Sequence, residues 1–249
     1  MKKRRKRWLL LPVFLLIVLL LAAAVLVWRE RKKTPVPNSI AAKAAALLLT
    51  DQESIEEMYN SQWASSEGES AWYTKYLCWL YANDLFDPQT AMERAGEPLT
   101  YKTFLYFLDK IGCQDLVSAP LGRILTFTKV PEEVWWDTYD AILERMEEQG
   151  EDSGVERRLY TIMGTPACIS GLEDWQAVTD QGMIWFEGLA LDPYLDCQIE
   201  ALVKDRQLIC LTSLVSDQVT YTNVWLTGSA DDRLEVFLYG YDREFTGSG

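Results

Sequence analysis

The sequence predicts an α+β protein: a single N-terminal transmembrane helix, a helical subdomain, then an antiparallel β subdomain shaped as a barrel or sandwich. Three observations predict this class. Residues 8–28 are twenty-one residues without a charge, set between basic flanks. From residue 40 to about residue 150, apolar side chains recur at helical spacing. After Gly171 the period changes to strict alternation, broken by turn residues.

At about 1.5 Å rise per residue, the uncharged run reaches about 30 Å, the thickness of a bilayer's hydrocarbon core. Trp8 and Trp28 bracket it as interfacial tryptophans do, and Pro12 falls in its first turn. Lys2, Lys3, Arg4, Arg5, Lys6 and Arg7 precede it; Arg29, Arg31, Lys32 and Lys33 follow with one acid, Glu30. The heavier basic flank predicts a cytoplasmic N-terminus and an exported remainder, with the lipid bilayer as a partner through residues 8–28. A cleaved signal peptide, with Ala22, Ala23 and Ala24 near the cut, is the rival reading.

The rest divides into a spacer with short helices (34–70), a helical subdomain (71–168) and the β subdomain (169–249). Thr34-Pro-Val-Pro-Asn-Ser39 reads as an extended spacer and 40–49 as an Ala/Leu-rich helix. Thr50 with Glu53 is a capping-box pattern for a helix reaching about Asn60. Ser65 to Ser70 reads as a loop. Trp72, Tyr76, Trp79 and Leu80 share one helical face, and Phe86-Asp-Pro88 breaks the chain. Thr100 caps a helix with Phe104, Leu105, Leu108 and Ile111 inward, ended by Gly112. Residues 123–128 read as a short strand. Pro131 opens a helix whose stripe is Trp135, Tyr139, Ile142, Leu143 and Met146. Ser153 with Glu156 predicts a further helix ending near Gly164. Three hairpins follow, turning at Asp180-Gln-Gly182, at Lys204-Asp-Arg-Gln207 and over 228–232.

Composition excludes more than it assigns. The chain has 24 Lys and Arg against 37 Asp and Glu; ten of the basic residues and one acid lie in 1–33, leaving 14 against 36 beyond. Nucleic acid is therefore excluded as a partner, because binding it requires phosphate neutralisation. Histidine is absent, which rules out Ser-His-Asp and Cys-His catalysis, His-ligated zinc or haem, and imidazole pH sensing. Five cysteines, widely spaced and without a CxxC, give neither zinc spacing nor a dense disulfide framework. Cys78 and Cys210 fall in periodic segments and read as small core residues. No calcium loop or glycine-rich phosphate loop occurs, and no cofactor or metal is expected.

Two stretches resemble known families. Trp72-Tyr-x-Lys-Tyr76, Phe86-Asp-Pro88 and Leu99-Thr-Tyr-Lys-Thr-Phe104 resemble an S-layer-homology module. Tyr101 and Thr103 replace the Arg and Glu of that family's polymer-binding Thr-Arg-Ala-Glu. Residues 97–245 resemble the region before the catalytic domain of membrane-anchored SpoIID/LytB-type sporulation and cell-wall proteins. The pieces are Leu99-Thr-Tyr101, Trp135 with Tyr139, Ile162-Met-Gly-Thr165, Thr179-Asp-x-Gly182 and Tyr239-Gly-Tyr-Asp-Arg-Glu-Phe245. The resemblance implies the anchor-and-spacer half of such a protein, or a truncated copy, with no counterpart of the catalytic glutamate.

Without histidine, carboxylates are the natural acid/base groups, and a glycan-cleaving enzyme needs two across a cleft. Glu187 stands out among many acids because it lies beside Trp185, Phe186 and Gly188, where lost hydration would penalise its charge. Trp136, one position from the stripe residue Trp135, points about 100° away from it and is the expected contact aromatic. Trp136, Trp185 and Glu187 thus form the candidate contact surface. The sequence predicts a non-enzymatic binding or scaffolding protein of the cell envelope, with peptidoglycan or envelope proteins as partners. A carboxylate-based glycan cleaver is the alternative.

Overall fold

The computed structural model describes residues 34–63, 71–86, 96–117, 129–222, 224–230 and 233–246. Among these residues, five α-helices come first: α1 (Asn38–Leu49), α2 (Gln52–Gln62), α3 (Thr74–Ala82), α4 (Tyr101–Lys110) and α5 (Glu132–Glu148). Eight strands follow: β1 (Glu156–Gly164), β2 (Gln176–Thr179), β3 (Gly182–Trp185), β4 (Gln198–Lys204), β5 (Gln207–Ser216), β6 (Trp225–Ala230), β7 (Arg233–Leu238) and β8 (Tyr241–Thr246). The α+β class holds.

The transmembrane helix needs correction. Among the described residues, no helix is long and apolar enough to cross a membrane. The longest, α5, has 17 residues and starts with exposed Glu132 and Glu133. Residues 8–28 lie outside the described residues, as do the expected loop at 65–70 and the expected strand at 123–128. The single-pass placement, the signal-anchor and the cell-membrane location find no support in the described structure.

The chain forms two compact units. One joins the residues up to Ala41 with Asp84–Glu148; the other joins Ala42–Asn83 with Gln149–Gly249. In the first, three short segments bridge one another: Val36 N donates to Val130 O (3.0 Å), Leu99 N to Val36 O (2.9 Å) and Val130 N to Leu99 O (2.8 Å). An aromatic core sits beside them, with Trp135 5.7 Å from Phe104 and 6.2 Å from Phe107. Thr100 caps α4, its hydroxyl accepting from Thr103 N. The inward face of α4 is Phe104, Phe107 and Leu108, while Leu105 and Ile111 are half-buried.

In the second unit, α2 starts one residue later than the capping-box pattern indicated. Asp51 is the cap, its carboxylate accepting from Ser54 N at 2.7 Å, so a different side chain satisfies the helix's free amides. The expected helix from Ser153 is instead strand β1. The Ser153 hydroxyl accepts from Val155 N in a local turn, and residues 156–161 pair with β4. A capping pattern satisfies one amide locally, whereas β1 finds neighbours along both of its edges, β2 and β4.

Strands β1–β5 close into a barrel of order β1-β2-β3-β5-β4, antiparallel except where β3 meets β5. This is a five-stranded Greek-key barrel of the OB type; topology alone assigns it no ligand. Alternate residues fill it: Tyr160 and Ile162 from β1, Ala177 and Ile184 from the first hairpin, Ile199, Ala201 and Val203 from β4, and Leu208 from β5. The turn at Asp205-Arg206 has both residues at positive φ (51° and 63°), which suits a tight hairpin. Strands β6, β7 and β8 make a separate sheet. The turn expected over 228–232 needs correction, because residues 228–230 belong to β6 and pair with β7; β8, turned by Tyr239-Gly240, is an additional strand. Cys78 and Cys210 are buried, as their patterns implied, and none of the five cysteines is in a disulfide.

Candidate functional site

Glu187 lies two residues past the end of β3, where the chain turns at Gly188. Its side chain faces α3 and the start of β5. Tyr76 donates its hydroxyl to Oε2 at 2.6 Å, Gln207 Nε2 donates to the same oxygen at 2.7 Å, and Lys75 Nζ lies 2.8 Å from Oε1. The Glu187 main-chain carbonyl accepts from Lys43 Nζ on α1 at 2.7 Å. Gln52 of α2 completes the group, its Oε1 3.1 Å from the Tyr76 hydroxyl. The buried carboxylate that the sequence singled out is therefore fully engaged.

The helix sequences explain the convergence. Lys43 is the lone charge in a buried Ala- and Leu-rich run, where the small side chains let the backbone approach closely. Lys75 and Tyr76 are adjacent on α3, so one turn presents both a cation and a hydroxyl. Trp72, just before α3, covers the Glu187–Gly188 turn. A Cβ at Gly188 would fall 2.3 Å from the Trp72 ring, and Gly188 has φ +78°, so two independent constraints favour glycine. Trp175 stands 6.3 Å from Trp72, and Lys43 Nζ is 6.0 Å from the Trp72 ring.

Burial lowers the Lys43 amine to about 7, opposed by the charge of Glu187 and aided by that of Lys75. Burial, followed by the Glu187 charge, pushes the Tyr76 hydroxyl well above its usual value, so it stays a proton donor.

The arrangement fits structure better than acid/base chemistry. A second carboxylate, Glu56, shares the Lys75 ammonium, which lies 3.2 Å from Glu56 and 2.8 Å from Glu187. The ammonium fills the space a scissile glycosidic bond needs. A cavity of about 320 Å³ at the β4–β5 turn is lined by Glu156, Arg158, Lys204, Asp205 and Arg206. There Arg158 pairs with Glu156, Lys204 donates to Leu47 O, and Asp205 accepts from Gln52 N. Among the described residues, no group of His, Cys, Asp and Glu could hold a metal ion.

The other two candidates belong to different surroundings. Trp136 lies in the first unit, half-buried and packed edge-on against Trp135 (6.4 Å) and Tyr139 (5.6 Å). Trp185 is half-buried at the end of β3, paired with Gln176 and Gln207. Neither tryptophan is openly exposed.

The most exposed apolar side chains among the described residues are on β6. Trp225 is 74% exposed and Leu226 64%, with Leu234 and Phe237 also exposed. Trp225 pairs with Phe237 on one face of the sheet; Leu226 pairs with Val236 on the other. Val236 and Leu238 anchor that second face on Met163, Ile169 and Val178. The sheet is also clipped down by Arg243 of β8. Its two terminal nitrogens lie 2.6 and 2.5 Å from the Asp196 carboxylate, and Nη1 donates to Met163 O as well. Strand β6 has a strand neighbour on one side only among the described residues. Alternation alone gave no sign of this surface; the uncharged stretch from Gln218 to Ala230 in so acidic a chain is the sequence signal for it.

No family model, curated protein or solved structure matches this chain. The S-layer-homology and SpoIID/LytB resemblances therefore remain expectations of the sequence.

Proposed function

We propose that this chain is a non-catalytic binding and scaffolding protein that takes an extended polypeptide segment on the β6 edge of its β6–β8 sheet. The exposure of large apolar side chains on both faces of β6 carries this reading. A glycan stacks on one face of an aromatic platform. A strand added at an edge instead extends both faces at once, with its main chain bonded to free edge groups and alternate side chains on either side. An apolar segment interspersed with basic residues fits best, because residues 34–249 hold 36 acids against 14 bases. The tight closure of Glu187 by Lys75, Tyr76 and Gln207 speaks against the glycan-cleaving alternative.

Calorimetric titration of the full-length protein with an alternating Val-Lys octapeptide, its Val-Glu counterpart and soluble peptidoglycan fragments tests the proposal. The Val-Lys peptide is expected to bind, more tightly than Val-Glu, and Leu226→Lys is expected to abolish binding by placing a charge on the edge. Binding of the glycan fragments in place of the peptide, or of neither, overturns the reading. Release of soluble fragments from intact peptidoglycan would establish the enzyme instead.

A further inference from the structure

The chain has no histidine, yet one side chain is placed to change charge near neutrality. Lys43 is fully buried, and its amine rests on the main-chain carbonyl of Glu187. Among the described residues, the ionisable groups that act on it are Glu187, Lys75 and Cys210. From the segment after β3 comes Glu187, whose carboxylate is already paired with Lys75. From α3 come Lys75 itself and Tyr76, which donates to Glu187; from β5 comes Cys210, which acts on Lys43 at longer range, and Gln207. On α1, Lys43 is the lone ionisable residue. With Lys43 neutral, the buried set holds one cation and one anion. With Lys43 protonated it holds two cations for one anion, and among the described residues that anion is already paired with Lys75.

These same groups hold the helices to the barrel within the second unit. Lys43, Tyr76 and Lys75 reach Glu187, and Lys204 and Asp205 reach back to Leu47 O and Gln52 N. We propose that Lys43 is a proton-operated latch: helices α1 and α3 stay seated on the barrel while its amine is neutral, and loosen when it takes a proton. The main-chain bond to Glu187 survives in either state, because an amine and an ammonium both donate. The added charge on a fully buried side chain is what drives the change. The burial that lowers the Lys43 amine places this event near neutral pH. Trp72 lies beside the latch and packs on Trp175 of the barrel, so the movement has a built-in optical reporter.

Hydrogen exchange of residues 74–82 and tryptophan fluorescence of the full-length protein between pH 5.5 and 9 test the latch. After correction for the intrinsic pH dependence of amide exchange, wild type is expected to show at least tenfold lower protection of α3 on the acid side, with a one-proton midpoint near 7. Lys43→Met, which fills the same volume without a charge, is expected to stay protected throughout. A wild type with no step, or Lys43→Met with the same step, overturns the proposal. If Lys43→Met fails to fold, NMR titration of wild-type lysine ε-carbons decides. A lysine titrating together with the exchange step upholds the latch, and lysines that all titrate above pH 9 overturn it.

Discussion

The Tyr76 hydroxyl donates to Glu187 Oε2 at 2.6 Å across 111 residues of sequence, joining helix α3 to the barrel rim. Gln207 Nε2 reaches both atoms, 2.7 Å from the carboxylate oxygen and 3.1 Å from the hydroxyl, which closes a three-membered ring of polar groups. A buried carboxylate held this way is a fastener whose parts can be removed one at a time.

Tyr76→Phe takes away one donor and leaves Glu187 otherwise in place. The expected loss is about 1–3 kcal/mol, the range for a buried charge-assisted hydrogen bond. Urea denaturation with an unchanged m-value checks it; a loss below about 0.5 kcal/mol would show that the ring contributes little.

Lys43 makes global stability depend on pH. Its amine titrates near 7 in the folded protein against an ordinary value of 10.5, so between these values the unfolded chain binds more protons. Stability from this residue therefore rises as pH climbs from about 7 to about 10.5 and is flat below 7, where both states are protonated. The full swing is on the order of 5 kcal/mol at most. Denaturation midpoints of wild type and Lys43→Met across that window check the slope, which the variant is expected to lack.

Gly188→Ala places a methyl group 2.3 Å from the Trp72 ring at a residue with φ +78°. Overpacking and left-handed strain together are expected to destabilise by about 2–4 kcal/mol. Tryptophan fluorescence is expected to shift at the same time, because Trp72 must leave Trp175. A stability loss with unchanged fluorescence would place the strain elsewhere.

Asp196→Asn strips the counter-charge from Arg243, whose side chain is 6% exposed, while Asp196 itself is 37% exposed. Solvent reaches one partner, so the expected loss is about 2–3 kcal/mol, below that of a fully buried pair. Hydrogen exchange is expected to rise over β6–β8 first, with β1–β5 unchanged. Arg243→Met, which removes the charge along with the need for a partner, is expected to lose less.

Legibility in the sequence followed the range of the forces involved. Helices α1, α4 and α5 were readable because a cap, a stripe or a proline lies within a few residues of what it controls, as Thr100 does for α4. The first two hairpins were readable because their turns are local. Strand β1 was misread because a Ser-x-x-Glu pattern is a local sign, and the pairing with β2 and β4 that outweighs it comes from residues up to 47 positions away, as in Glu156 with Val203. Glu187 was found from its apolar neighbours, but Tyr76, Lys75 and Lys43 were not. Each is ordinary on its own helix and matters only where the three meet.

By itself the sequence determined the α+β class, the first two hairpins, the acidic balance and the absence of any imidazole. Those depend on composition and on periods of two or 3.6 residues. Tertiary structure alone decided that five strands close into a barrel with one parallel seam, that a lysine from residue 43 ends beneath residue 187, and that β6 keeps an open apolar edge. Closure, burial of a charge and exposure of an edge all depend on which distant segments exclude water from one another, and no local pattern carries that information.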